Sequence, residues 1–163
     1  MKRRYNTETV QKKIKYIREK IKDATFTSDI IVGFPGETDE DFEQTRSFLN
    51  SLDLLSFHIF AYSKRPGTPA ADMPDQISPE IKSSRVKSLE ALRSEMTERV
   101  LAPYLGSELE IIVEEYKSSV GAIGHTANFI EVTITDAPDD LHGKLVSVRA
   151  ERQENGVIYG KTV

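Results

Sequence analysis

The sequence predicts an α/β segment followed by a small all-β barrel, and three observations carry that expectation. Apolar positions recur at helical spacing, then in a β-rich run, then at helical spacing again, then in a second β-rich run, before residue 63. A long helical stretch follows a proline-punctuated segment. After Pro103 the pattern changes to short alternating strands. Helix, strand, helix, strand is the rhythm of parallel βα units, whereas short strands at close spacing suggest a closed or nearly closed barrel.

Val10, Ile14, Ile17 and Ile21 define an amphipathic helix over residues 7–22, with Asn6 as its cap. The run Thr25–Gly33 reads as a strand that ends in Gly33-Phe34-Pro35-Gly36. Thr38 caps the next helix, where Asp39, Glu40 and Asp41 favour the positive end of its dipole and Phe42, Thr45, Leu49 and Leu52 form the inner stripe. Leu54–Tyr62 is the second strand, and Ser63–Pro69 is its exit loop. Two parallel strands cannot bury both faces alone, so this segment reads as a piece of a larger sheet or barrel. Residues 70–79 form a linker, and Ser78 with Pro79 starts a helix reaching about Ala102, with Val86, Leu89, Met96 and Val100 on one side. Strands are expected at 109–113, 129–134, 145–148 and 157–159, with Asn155-Gly156 as a type I′ hairpin signal.

Composition limits the chemistry. Apolar residues are 38% and charged residues 29% of the 163, a globular balance. No apolar run reaches the roughly 18 residues of a membrane span, no signal peptide opens the chain, and the expected location is cytoplasmic, with no membrane partner. There is no cysteine, which excludes disulfides, thiolate metal sites and cysteine nucleophiles from this chain. His58, His125 and His142 are scattered without ligand spacing, so neither a metal site nor a histidine-based catalytic site is expected. The net charge of −4 is unevenly spread. Nine basic residues against Glu8 and Glu19 give +7 through Lys22, a face that suits phosphate or is simply solvated. From Tyr104 onward, five basic residues face ten acidic ones, a net of −5.

The run from Asp29 to Thr38 is the strongest chemical signal. An apolar strand entering a Gly/Pro turn and a helix start is where ligands sit in α/β folds, and open N–H groups there would favour a polar or anionic ligand. A tight turn without a ligand fits equally well.

SDIIVGFPGETDEDF, FHIFAYSKRPGTPA and MKRRYNTE, in their order and spacing, resemble the fifth-strand, sixth-strand and post-fourth-strand segments of the radical-SAM tRNA methylthiotransferases. The segment Gly124–Phe129 and its surroundings resemble a TRAM domain. The resemblance implies the last βα units of a partial radical-SAM (β/α)6 barrel over residues 1–77, a connecting helix over 78–103, and a TRAM (OB-like) barrel over 104–163. Met-Lys-Arg-Arg-Tyr and Tyr-Ser-Lys-Arg-Pro-Gly-Thr are most similar to the branch that places a methylthio group on C2 of threonylcarbamoyl-adenosine beside the anticodon. The isopentenyl-adenosine branch is close behind. The ribosomal-protein branch ranks third, because it usually has an acidic pair at Arg65-Pro66.

By the same resemblance, Arg3, Asp29, Gly33, Tyr62 and Ser63 meet S-adenosylmethionine, and Thr126, Asn128 and Phe129 meet RNA; Arg65 and Gly67, with Thr68, approach the substrate RNA or the cluster-bearing domain, and a plain turn fits them as well. It implies two 4Fe–4S clusters and S-adenosylmethionine in the full-length enzyme, held with N-terminal cluster-binding domains of the same protein, and a tRNA anticodon stem-loop as partner. None of these cofactors is expected on this chain by itself, which carries no catalytic residue in this reading. Glu37 reads as structural, and Tyr16 and Phe48 as core. The alternative is a non-enzymatic RNA-binding or interaction module.

Overall fold

The structure is a computed structural model that describes residues 4–138 and 140–163. It divides into two compact units, Met1–Lys20 with Phe26–Met96, and Ile21–Thr25 with Thr97–Val163.

In the first unit, α1 (Thr7–Lys20) leads to β1 (Thr27–Val32), α2 (Asp39–Asn50) and β2 (Ser56–Ala61). Asn6 caps α1, its Oδ1 accepting from the Thr9 N–H at 2.9 Å. Thr38 begins α2 with a complete capping box: its hydroxyl accepts the Asp41 N–H at 3.1 Å, and the Asp41 carboxylate accepts the Thr38 N–H at 2.9 Å. Helix α2 stops at Asn50, so the buried Leu52 lies beyond it rather than on its inner stripe. β1 and β2 pair in parallel, with Asp29 opposite His58, Ile30 opposite Ile59 and Ile31 opposite Phe60.

A short 3-10 turn, Pro69–Ala71, lies in the expected linker, and α3 (Pro79–Leu101) follows. Val32, Phe42, Leu49, Leu52, Leu54, Phe57, Leu89, Leu92 and Met96 form the core, against which Val10, Ile14, Ile30 and Ile59 pack. The inward stripe of α3 includes Arg85, which is buried. A charged residue at that position does not read as core from sequence.

The second unit receives α3 from Thr97 onward and a 3-10 turn, Ala102–Tyr104. Its strands are β3 (Glu108–Lys117), β4 (Gly121–Thr126), β5 (Glu131–Ile134), β6 (Leu145–Glu154) and β7 (Val157–Thr162). They close into a barrel in the order β3-β4-β5-β7-β6, with β5–β7 parallel and β3–β6 completing the ring. Leu109, Ile111, Val113, Val132, Ile134, Val148 and Ile158 fill it. Asn155 and Gly156, at φ of 52° and 83°, make the β6–β7 hairpin turn.

Strand β4 was not anticipated, because Gly121 and Gly124 lower its apparent β character. The barrel needs them. A Cβ on Gly124 would lie 2.1 Å from the Ile112 carbonyl oxygen, and one on Gly121 2.0 Å from that of Ile134. The expected strand at 129–134 is correspondingly shorter, since Phe129 belongs to the turn before it.

No helix among the described residues is long and apolar enough to cross a membrane.

Candidate functional site

The pleat of β1 directs Ile30 and Val32 into the core and leaves Asp29 and Ile31 on the opposite face. In a parallel ladder, paired residues share a face, so His58 and Phe60 stand beside Asp29 and Ile31. Asp29 and His58 are exposed, and Phe60 is half exposed. This outward face leads at its C-terminal end into a cleft of about 380 Å³, whose walls include Ile31, Phe34, Phe60, Tyr62, Ser63 and Arg65. Apolar walls with a few polar groups suit a ligand that has a flat apolar part and a polar part.

Tyr62 follows β2, its N–H donating to the Val32 carbonyl at 2.8 Å. Its ring meets Phe34 edge-on at 5.3 Å, and its hydroxyl is buried without a hydrogen-bond partner among the described residues. The exit loop turns at Gly67, φ 78°, and the Thr68 hydroxyl donates to the Arg65 carbonyl at 2.8 Å.

The expectation of open N–H groups at the βα turn is corrected. The Gly33 N–H donates to Glu37 Oε2 at 2.6 Å, the Gly36 N–H to the Asp75 carbonyl at 3.0 Å, and the Glu37 N–H to the Phe34 carbonyl at 2.9 Å. The turn consumes its own donors, so it does not form an anion cradle. Arg85 completes the arrangement by donating to Glu37 Oε2 at 2.6 Å and to Asp39 at 2.8 Å. One turn earlier on α3, Lys82 Nζ donates to the Tyr62 carbonyl at 3.0 Å. Its stem passes so close to Gly33 that a Cβ there would come within 2.4 Å of Lys82 Cγ. Glu37 is structural, as expected. Lys82 and Arg85 were missed, and no motif marks them; only the fold brings α3 to the strand ends.

In the second unit, Thr126 and Asn128 build a tight turn. The Thr126 hydroxyl donates to Asn128 Oδ1 at 2.6 Å and accepts the Ile130 N–H at 3.0 Å, while Asn128 Nδ2 donates to the Asp23 carbonyl at 2.9 Å and the Tyr104 hydroxyl at 3.1 Å. Phe129 sits at the tip with φ 64° and 76% of its surface exposed. Left-handed backbone in a bulky residue is uncommon, and here it turns an aromatic ring outward. His125 lies nearby, 6.1 Å from the Phe129 ring, with Nδ1 2.9 Å from Glu114.

The structure therefore gathers Tyr62, Ser63 and Arg65 at one cleft, sets Asp29 on the face leading to it, and places Gly33 and Gly67 in the adjoining turns. Thr126, Asn128 and Phe129 meet in the barrel turn. Arg3 lies outside the described residues. No group of three or more His, Asp or Glu residues able to hold a metal occurs among the described residues.

Residues 1–49 match the radical SAM superfamily. Threonylcarbamoyladenosine tRNA methylthiotransferase MtaB of Bacillus subtilis is 37% identical over 91% of this chain, and 34% of its own length is covered. The chain is thus similar to part of a tRNA methylthiotransferase. The tRNA-2-methylthio-N(6)-dimethylallyladenosine synthases of Hydrogenobaculum, at 38% over 91% of the chain, and of B. subtilis, at 34% over all of it, are similar to a comparable degree. The chain spans about a third of the length of these curated relatives.

Proposed function

We propose that this chain is the C-terminal part of a radical-SAM tRNA methylthiotransferase that modifies C2 of threonylcarbamoyl-adenosine beside the anticodon. The observation that carries the reading is the outward face of the β1–β2 ladder, where Asp29 leads through Ile31 and Phe60 to the Tyr62–Ser63 cleft. In this reading, residues 1–77 are the last βα units of a (β/α)6 barrel, 78–103 the connecting helix and 104–163 a TRAM barrel. The closed five-stranded ring supports the last assignment.

The residues present fit S-adenosylmethionine. Asp29 offers an exposed carboxylate for an ammonium or a ribose hydroxyl. Ile31, Phe34 and Phe60 give an apolar wall for the adenine, and the unpartnered Tyr62 hydroxyl, with Ser63, gives polar contacts at its edge. Gly33 contributes shape, letting the Lys82 stem lie against the turn. Arg3 would add a cation for the cofactor carboxylate. When bound with a cluster, S-adenosylmethionine supplies the radical chemistry that functionalises an unreactive C–H bond. The two 4Fe–4S clusters do not fit this chain, which has no thiolate to hold them. In this proposal they belong to cysteine-bearing N-terminal domains of the same protein, and the enzyme works in the cytoplasm.

The tRNA anticodon stem-loop is the proposed partner. Phe129 presents a ring to an unpaired base from a turn built on the Thr126–Asn128 hydrogen bond. Arg65 and the Gly67 turn are separate proposed RNA contacts of the first unit. The similarity to dimethylallyladenosine enzymes supports a second reading, in which the isopentenyl-adenosine is the substrate.

The test is mass spectrometry of tRNA nucleosides from cells with and without the gene. The expected result is loss of 2-methylthio-threonylcarbamoyl-adenosine alone. Loss of the isopentenyl counterpart instead selects the second reading. Retention of both overturns the assignment and leaves a non-enzymatic RNA-binding module.

A further inference from the structure

Helix α1 places its apolar residues inward, with Val10 and Ile14 packed on the core. Tyr16, a residue whose spacing suggested core, is instead 61% exposed. It lies in the middle of the outward face, with Lys12 and Lys20 one turn away on either side, Lys13 at i−3 and Glu19 at i+3, all four exposed, so three cations and one carboxylate surround the ring. Lys20 Nζ sits 5.8 Å from the centre of the Tyr16 ring. Lys12 pairs with Glu8 at 2.6 Å, an exposed helix pair of little strength, and Lys13 makes no ion pair among the described residues.

Single exposed rings are common on protein surfaces, and this one is set apart by the cations around it. An aromatic surface between cations is what unpaired nucleic acid requires: bases stack on the ring while lysines neutralise the flanking phosphates. A membrane-surface helix would need an apolar outward face, and Tyr16 is the only large apolar group on this one. An acidic peptide would use the lysines and leave the ring without a function. We propose that the Lys12–Lys13–Tyr16–Lys20 face of α1 binds an unpaired segment of RNA, with Tyr16 stacked on a base. This rests on the tRNA reading above and names a contact surface outside both the cleft and the barrel.

The experiment uses the 163-residue chain and fluorescence anisotropy with three labelled probes: an RNA stem-loop, a blunt RNA duplex and heparin. The stem-loop binds several-fold more tightly than the duplex. Tyr16→Ala weakens stem-loop binding about tenfold without changing its salt slope, and Tyr16→Phe retains it. Heparin, which has no bases, is unaffected by Tyr16→Ala. Lys13→Gln with Lys20→Gln flattens the salt slope for the stem-loop by about 0.7 per lost phosphate contact and weakens heparin as well.

The proposal is overturned by parental stem-loop affinity in Tyr16→Ala, by an equal loss on heparin, or by no binding to the stem-loop at low salt. Poly-glutamate competing as well as RNA also overturns it and points to an acidic protein partner. Unchanged tRNA nucleosides with Tyr16-dependent RNA binding intact would sink only the methylthiotransferase assignment. Loss of a methylthio nucleoside with Tyr16 irrelevant would sink only this inference.

Discussion

In the first unit, two parallel strands share a single ladder and leave Asp29, Ile31, His58 and Phe60 on an uncovered face; in the second, five strands close on themselves through the β3–β6 ladder. The contrast lies in which side chains each unit leaves exposed. The barrel turns its apolar residues inward and exposes one ring, Phe129, at a turn. The open ladder instead keeps a whole strand face free, and stabilises its strand ends from behind, through Lys82 and Arg85 of α3. Closure tolerates little change in backbone spacing. The open sheet depends on a few buried polar groups.

The sharpest way to break the comparison is in the barrel. Gly124→Ala drives a Cβ into the Ile112 carbonyl, and the strands must separate to admit it. The expected loss is at the upper end of overpacking penalties, about 3 kcal/mol. Amide hydrogen exchange should show it across β3, β4 and β5, with β1 and β2 amides close to their parental protection. Parental exchange in β3 and β4 would mean that the ring is not tightly closed.

In the first unit, the corresponding change is Arg85→Met. The Arg85 side chain is 6% exposed and Glu37 13% exposed, so removing the guanidinium strands a largely buried carboxylate that also holds the Gly33 N–H. The cost should be about 3 kcal/mol, read by chemical denaturation. Arg85→Met with Glu37→Gln should recover part of it. If the single change is neutral, α3 does not hold the strand ends.

The smallest effect concerns the α2 cap. The Thr38 backbone N–H and hydroxyl both donate to the Asp41 carboxylate and hold its pKa below the ordinary carboxylate value. A lowered carboxylate pKa stabilises the fold above the unfolded value, and that contribution is lost as pH falls through the folded one. Thr38→Ala removes the hydroxyl half of this cap, so it should lower stability at neutral pH, and the difference from the parent should shrink under acid. A difference that stays constant with pH would mean that the Thr38 hydroxyl does not act on Asp41.

Much of this architecture is legible in the residues themselves. Thr38 and the acidic first turn of α2, Pro79 at the start of α3, and Asn155-Gly156 in the hairpin all act through local chemistry, and each sits where its type suggests. Strand β4 was hidden because its glycines answer to the barrel rather than to β propensity. Arg85 and Lys82 were hidden because their partners, Glu37 and the Tyr62 carbonyl, are 48 and 20 residues away. Tyr16 was misjudged for a related reason: spacing shows that a residue lies on a helix, but the outward position is clear only once Val10 and Ile14 are seen to face the core. At the candidate site, Tyr62, Ser63 and Arg65 were legible as a segment, whereas the apolar wall of Ile31 and Phe60 required the register of the ladder.

The central claim is that the open face of β1–β2 binds S-adenosylmethionine. Isothermal calorimetry on the complete, cluster-loaded protein, comparing the parent with Asp29→Ala, tests it most directly. Asp29 is exposed on the strand and serves no core contact, so the variant should fold normally. Loss of a hydrogen bond to a charged group is worth roughly 1.5–3 kcal/mol, which predicts a dissociation constant raised about tenfold or more. An unchanged dissociation constant would contradict the account and remove this face from the cofactor site.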